Sequence, residues 1–257
     1  MTTIIIQARM SSTRLPGKIL KNLAGKPMLW HVVNRCRKAK NIDRVILATT
    51  TEPGDDAVEK FCRENGVDYY RGSLSDVLDR YYQAAKKYNL KEDDIVVRVT
   101  CDCPLIDPAV IDMCINEFRK NKYDYISNVV PGERTWPRGL DTEVVSFRAL
   151  EMAHKDADDN YSREHVMPYI WGNKNGKFVV GPMIKAPAEY AKKYRLTVDY
   201  PEDFELMEKI YRKFYVPGTI IDTKEVIKFL GDNPELLRIN DYREEEMSKR
   251  IIESLNK

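Results

Sequence analysis

The 257-residue sequence lacks any apolar run suited to a membrane span or a secretory leader. The run Ile4-Ile5-Ile6 gives way at once to polar residues, so a cytoplasmic protein with no membrane partner is expected. Net charge is also scarce: 42 Lys and Arg against 40 Asp and Glu leave +2. That balance excludes a strongly basic nucleic-acid binder and an acidic, self-repelling chain. Cysteines are few and odd in number (Cys36, Cys62, Cys101, Cys103, Cys114), with no disulfide-framework spacing. Reduced thiols in a reducing cytosol are expected. Cys101-Asp102-Cys103 has one residue between its thiols and no second Cys or His pair nearby, which is poor zinc spacing. Internal repeats, low-complexity tracts and linkers are absent as well. What is present is 43% apolar and 10% aromatic residues, enough for a folded core beneath a very polar surface.

Short β-branched runs alternate with longer amphipathic ones. The pattern predicts strands at Ile4–Ala8, Arg44–Thr49, Val67–Tyr70 and Asp94–Thr100, the last apolar enough to be buried on both faces. Helices are predicted over Pro27–Ala39, Asp55–Asn65 (closed by Gly66), Asp76–Tyr88 and Pro108–Lys120. Strands at Tyr125–Val130 and Thr142–Ser146 follow, then a helix from Phe147 to His154. Beyond it come a helix near Ser162–Trp171, a strand near Phe178–Met183, a helix over Pro201–Phe214 and a charged, peripheral helical tail from Glu225 to Asn256. Strand–helix–strand units at this spacing mean an α/β fold with a mostly parallel, doubly wound sheet. The turn-rich stretch Pro131–Asp141 breaks the pattern and suits a substrate loop.

In such sheets the ligand lies beyond the carboxyl ends of the strands, near the switch in strand order. The loop after the first strand runs from Gln7 to Leu20 and packs Arg9, Arg14 and Lys18 among Ser11, Ser12, Thr13 and the Pro16-Gly17 turn. Small residues let backbone N–H groups approach an anion, and cations neutralise it, so a polyphosphate fits. The loop carries neither the P-loop pattern nor the Gly-x-Gly-x-x-Gly fingerprint. A solvated basic loop is the alternative.

Ala8-Arg9-x-x-Ser12-x-Arg14-Leu15-Pro16-Gly17-Lys18 resembles the N-terminal signature of the sugar-acid cytidylyltransferases, which make CMP-activated sialic, pseudaminic and 3-deoxy-manno-octulosonic acids. The closer resemblance is to the branch called spore coat polysaccharide biosynthesis protein F. Further blocks carry that likeness: Arg71-Gly72-Ser73-x-x-Asp76, Asp102-Cys103-Pro104-Leu105-Ile106-Asp107, Pro137-Arg138-Gly139-Leu140-Asp141-x-Glu143, Arg163-Glu164-His165-Val166-x-Pro168-Tyr169 and Leu196-Thr197-Val198-Asp199-Tyr200-Pro201.

The resemblance implies a Rossmann-like nucleotidyltransferase fold of the nucleotide-diphospho-sugar transferase type, with a mostly parallel mixed sheet flanked by helices. It implies a cytidylyltransferase domain over residues 1–214 and a helical extension over 215–257 packed on it. The implied reaction is attack of an acceptor oxygen on the α-phosphorus of CTP, releasing pyrophosphate. Arg9, Arg14, Lys18, Asp102 and Asp199 would be catalytic. Ala8, Arg9, Ser12, Arg14, Gly17, Lys18, Asp102, the Arg71-Gly72-Ser73 turn and Arg80 would hold the nucleotide, the base largely through backbone groups. Asp102 and Asp199 would carry Mg²⁺, although an N-cap to the helix near Pro201 is the other role open to Asp199. Asp107, before Pro108, reads as a helix cap. The family commonly has glycine where Cys101 stands.

The acidic sugar-type acceptor is assigned to Arg138, Asp141 and Glu143, which would otherwise order the metal site, and to Glu164, His165 and Tyr169. His165 is either a general base or a helix-face histidine bonded to Glu or a dimer neighbour. His31 and His154 read as ordinary helix residues. Tyr69, Tyr70, Tyr81, Tyr82 and Trp136 are spaced for strand and helix cores rather than for stacking on nucleic acid. The family implies a homodimer, with Thr135–Val145 and the His165 helix as interface elements. Two other functions compete. A nucleotide-sugar glycosyltransferase often carries Asp-x-Asp, which Asp102-Cys103-Pro104 lacks. A non-catalytic nucleotide-binding regulator would not need both carboxylates and all three loop cations.

Overall fold

Ile4 and Ile6 join one hydrophobic core while Ile5, between them, joins another. Successive side chains of a strand point to opposite faces, so this alternation places the first strand at the centre of a sheet covered on both sides. The computed structural model describes residues 1–130 and 132–244. Its first half contains β1 (Thr2–Gln7), a small hairpin of β2 (Asn22–Leu23) and β3 (Lys26–Pro27), α1 (Met28–Cys36), β4 (Arg44–Thr50), α2 (Asp56–Glu64), β5 (Asp68–Gly72), α3 (Val77–Lys87) and β6 (Ile95–Thr100). The second half contains α4 (Pro108–Asn121), β7 (Tyr125–Ser127), β8 (Glu143–Ser146), α5 (Phe147–Asp156), α6 (Asn160–His165), α7 (Pro168–Gly172), α8 (Pro201–Phe214), α9 (Thr223–Asp232) and α10 (Pro234–Leu237).

The main sheet has the order β5-β4-β1-β6-β8-β7. β1 pairs in parallel with both β4 and β6, β4 with β5 likewise, and β8 runs antiparallel to its two neighbours. The chain thus builds outward from β1 through β4 to β5, then returns to the other side of β1 at β6. That reversal opens a crevice at the carboxyl ends of β1 and β6. Val33, Phe61, Ile115, Leu206 and Val226 cover one face, and Tyr81, Leu150, Met167 and Ile170 the other. The mixed α/β architecture, a mostly parallel sheet flanked by helices, agrees with the expectation.

Several elements differ from the sequence pattern. The helix expected over Ser162–Trp171 divides into α6 and α7. Val166 between them takes φ 73° and ψ −52°, and Met167 N–H closes a tight turn onto the His165 carbonyl at 2.9 Å. The strand expected over Phe178–Met183 amounts to one bridge, Tyr125 to Val180. Gly181 N–H reaches the Tyr125 carbonyl at 2.8 Å, but Ile184, not Met183, supplies the next bond, to Ser127 at 2.9 Å. Pro182 lies at the slip and has no N–H to give. The strand from Tyr125 ends at Ser127 rather than Val130. α9 is integral rather than peripheral, since Val226, Ile227 and Leu230 enter the larger core. The remainder of the expected tail, 245–256, lies outside the described residues. No helix among the described residues is long and apolar enough to cross a membrane.

Candidate active site

The loop leaving β1 is tied down where it starts. Ala8 N–H continues the ladder to the Ala48 carbonyl at 3.1 Å, and Met10 N–H donates to Asp55 Oδ1 at 2.6 Å. Gly17, at φ 67°, turns the chain into a single 3₁₀ turn that begins with Lys18. Opposite, β6 ends at Thr100, whose hydroxyl donates to Asp102 Oδ1 at 2.6 Å. A third segment, 194–199, lies alongside. Leu196 N–H bonds the Arg138 carbonyl at 2.7 Å and Val198 N–H bonds the Asp102 carbonyl at 2.8 Å. This is an extended run with one bridge, Arg138 to Arg195, rather than a ladder strand. The three segments bound a cleft of about 610 Å³ at the strand-order switch.

Lys18 lies at its floor, 7% exposed. Its Nζ donates to Asp199 Oδ1 at 2.9 Å, to the Val198 carbonyl at 2.7 Å and to Asp102 Oδ2 at 3.3 Å. Burial alone would lower its pKa, but the two carboxylates outweigh burial and raise it, so the ammonium is permanent. Arg14 adds a bond to Asp199 Oδ1 at 2.9 Å and sits over the Tyr200 ring. Burial would raise the Asp199 pKa, yet Lys18, Arg14 and Arg195 hold it down at about 2. Asp199 does not cap the following helix. Asp203 does so, accepting from the N–H groups of Asp199 and Tyr200 at 2.9 and 3.0 Å. Asp107 is the cap it was expected to be, accepting from Ala109 N–H at 2.8 Å.

Arg9, Ala8, Ser12, Arg14, Lys18, Arg80, Asp102, Glu164, His165 and Asp199 all line the cleft. Arg80 is buried, donates to the Ser73 carbonyl at 2.8 Å, and its Nε has no partner. Gly17 shapes the loop from behind. Other expected site residues point elsewhere. Arg71 turns to Glu59 at 2.8 Å and Asp56 at 2.7 Å. Gly72 ends β5 and Ser73 opens the turn leading to α3, neither lining the cleft, and the Ser73 hydroxyl accepts from Asp76 N–H at 3.0 Å. Arg138 pairs with Glu244 at 2.6 Å, Asp141 with Arg134 at 2.5 Å, and Glu143 with Arg98 and with the Tyr125 hydroxyl at 2.8 Å. Tyr169 packs its edge against Phe178. Tyr81 and Trp136 are wholly buried.

His165 lines the cleft wall beside the Tyr161 ring, 4.6 Å away, in part open to solvent and in part shielded by the wall. Burial against the surrounding wall lowers its pKa below the usual histidine value, and nearby Glu164 opposes this. The imidazole is therefore neutral at pH 7 and able to accept a proton.

The cleft at the switch point is thus floored by Lys18 and walled by Arg9, Arg14 and Arg80, with the carboxylates of Asp102 and Asp199 beside them. The family model described as "Cytidylyltransferase" matches residues 3–233. The chain belongs to the cytidylyltransferase family. It is accordingly an enzyme, a CTP-dependent nucleotidyltransferase, as the sequence motifs led us to expect. Spore coat polysaccharide biosynthesis protein SpsF of Bacillus subtilis is 34% identical over 239 residues, 90% of this chain and 94% of that protein. The 8-amino-3,8-dideoxy-manno-octulosonate cytidylyltransferase of Shewanella frigidimarina is 36% identical over 259 residues, 94% of this chain and 97% of that one. A solved cytidylyltransferase from Leptospira borgpetersenii serovar Hardjo-bovis shares 35% identity, with a TM-score of 0.81 over 92% of this chain and 96% of that one.

Two carboxylates in this cytidylyltransferase could hold a divalent cation. Oδ2 of Asp102 and Oδ1 of Asp199 both meet the Lys18 ammonium, at 3.3 and 2.9 Å, so they are neighbours on the cleft floor beside that fixed positive charge. Hard oxygen donors in a set of two suit an ion that takes its remaining ligands from water and nucleotide phosphates. Sequence reasoning missed Asp55, which pins Met10, and Arg195, which backs Asp199. Asp55 reads as part of a helix start, and its reach to the loop comes only from the parallel pairing of β1 and β4. It also missed Gln7, Leu74 and Ser75 on the cleft wall. The polar Gln7 ending an otherwise apolar strand was the available signal.

Proposed function

We propose that the enzyme transfers CMP from CTP to an acidic sugar in surface polysaccharide biosynthesis, with Mg²⁺ and release of pyrophosphate. The observation that carries this reading is the convergence of Lys18, Arg14, Asp102 and Asp199 at the carboxyl ends of β1 and β6. The named activity of the Shewanella relative supports the sugar-acid acceptor, and the name of SpsF the polysaccharide context.

Attack of the acceptor oxygen forms a bond to the α-phosphorus and breaks the α–β anhydride, moving negative charge onto the departing pyrophosphate. Arg9, Arg14 and Lys18 meet that charge, the arginines as planar forks and the lysine as a fixed point charge. Asp102 and Asp199 would hold Mg²⁺, which neutralises phosphate oxygens and orients the triphosphate when bound. Arg80 and the 73–77 turn form the base side, together with Arg71 and Gly72 behind it. Glu164 and His165 face the acceptor, and neutral His165 accepts the proton of the attacking hydroxyl. Arg138, Asp141, Glu143 and Tyr169 support this end from outside the cleft. A cytoplasmic homodimer completes the reading: five buried free cysteines support a reducing location, and the family resemblance supports the dimer, which sedimentation would test.

Pyrophosphate release tests the reaction, with 3-deoxy-manno-octulosonate and its 8-amino analogue as acceptors and CTP, UTP, ATP or GTP as donor. Release that needs CTP, Mg²⁺ and a sugar acid together is expected. Release driven equally by another nucleotide, or independent of the acceptor, would contradict the proposal.

A further inference from the structure

Asp199 is held from behind by a group outside the cleft. Arg195 is 2% exposed, and its guanidinium grips Asp203 with both prongs, Nε to Oδ1 at 2.8 Å and Nη2 to Oδ2 at 2.9 Å. The same Nη2 donates to Asp199 Oδ2 at 3.2 Å. The two oxygens of Asp199 are thereby divided. Oδ2 belongs to Arg195, while Oδ1 faces the cleft, where Lys18 and Arg14 meet it.

A further layer comes from the C-terminal part of the chain. Asn240, 1% exposed, donates Nδ2 to the Arg195 carbonyl at 3.1 Å and to Asp203 Oδ1 at 2.9 Å. Glu244 lies 3.6 Å from Arg195 Nη1 and bonds both prongs of Arg138, at 2.7 and 2.6 Å. Arg138 in turn bridges the backbone of Arg195. Buried ion pairs of this kind add little stability over apolar packing of equal volume. What they do provide is a fixed orientation: a carboxylate bonded through one oxygen to a locked guanidinium cannot rotate freely about its χ angles.

We propose that Arg195 is a positioning residue, clasped by Asn240 and Glu244, that fixes Asp199 with Oδ1 toward the cleft, so that the C-terminal segment belongs to the cation-binding apparatus. This rests on the proposed role of Asp199 in holding a divalent cation.

Calorimetric titration of CTP into wild type, Arg195→Lys and Glu244→Gln, in EDTA and over a Mg²⁺ series, separates positioning from general support. Arg195→Lys keeps the charge and loses the fork. Glu244→Gln changes a partly exposed side chain and serves as the deciding variant if Arg195→Lys does not fold. CTP affinity in EDTA should stay within about twofold of wild type. The Mg²⁺ concentration for half-maximal tightening should rise about tenfold in Arg195→Lys, the scale of losses seen when partners of metal ligands are altered, and by less in Glu244→Gln, which acts one residue further from Asp199. Folded variants whose Mg²⁺ requirement equals that of wild type would overturn the positioning role alone. A wild type whose CTP affinity ignores Mg²⁺ would overturn the cation reading, and this inference with it.

Discussion

At the scale of single residues, the cleft is a charge balance whose members titrate in predictable directions. Asp199 is held at about 2 against an ordinary 3.8, a difference worth roughly 2 kcal/mol of folded-state stability. A depressed carboxylate pKa contributes stability that is complete above the unfolded value and fades as pH falls through the folded one. The stability gap between wild type and Asp199→Asn, read from urea unfolding, should therefore be constant above about pH 5 and narrow between about pH 4 and 2. A gap that stays constant down to pH 2 would rule this out. His165 behaves in the opposite sense. Its pKa lies below the usual 6.5 because the cleft wall partly shields it from water, so the acid limb of kcat/KM should have its midpoint below pH 6.5. His165→Asn should lower kcat about a hundredfold and remove that acid limb. Survival of the limb in the variant would assign the titration to another group. The loop cations and Asp102 were legible in the sequence because they sit in a dense run of chemistry or follow a recognisable strand, and Asp199 was legible only through the family resemblance of the motif at 196–201. Arg71 and Arg138 were not, because the carboxylates that hold their side chains, Glu59 and Glu244, come from other elements.

At the scale of elements, two turns carry the site. Gly139 has φ 105°, and a Cβ there would stand 2.6 Å from the Leu196 carbonyl carbon and oxygen. The 137–140 turn thus presses backbone on backbone against the run that leads to Asp199. Gly139→Ala should cost about 2 kcal/mol or more and move Asp199, so activity should fall further than thermal stability implies. Unchanged melting and turnover would show that the turn can open freely. Val166, buried and β-branched, holds a left-handed φ of 73° just after His165. Alanine keeps that strain and glycine relieves it, so Val166→Gly should be more stable than Val166→Ala by about 1 kcal/mol, the reverse of the usual ranking. Urea denaturation of the pair decides it, and the usual ranking would refute the strain. Periodicity made β1, β4, β6, α3 and α8 legible, because one face of each is continuously apolar. It carried no warning of the γ-like turn at Val166 or the slip at Pro182, which arise where single residues override a longer pattern.

At the scale of the whole molecule, function follows from topology. Building from β1 outward and returning at β6 leaves two carboxyl ends diverging, and the loop after β1 and the aspartate after β6 meet across that gap. Residues 181 positions apart, Lys18 and Asp199, close the same site. α/β alternation made the fold class legible, and the ordered motifs made the family legible. The completion of the site by segment 194–199 and its C-terminal clasp depends on long-range packing that no local pattern records. The most direct measurement is thermal unfolding of wild type and Asp102→Ala with CTP, UTP, ATP or GTP, each with and without Mg²⁺. CTP with Mg²⁺ at about a hundred times its dissociation constant should stabilise wild type by about 2.7 kcal/mol, a rise of about 5–10 °C. The other nucleotides should give less, and Asp102→Ala should lose most of the Mg²⁺-dependent part. Equal shifts with every nucleotide, or none with CTP at saturation, would contradict the assignment of this cleft to CTP.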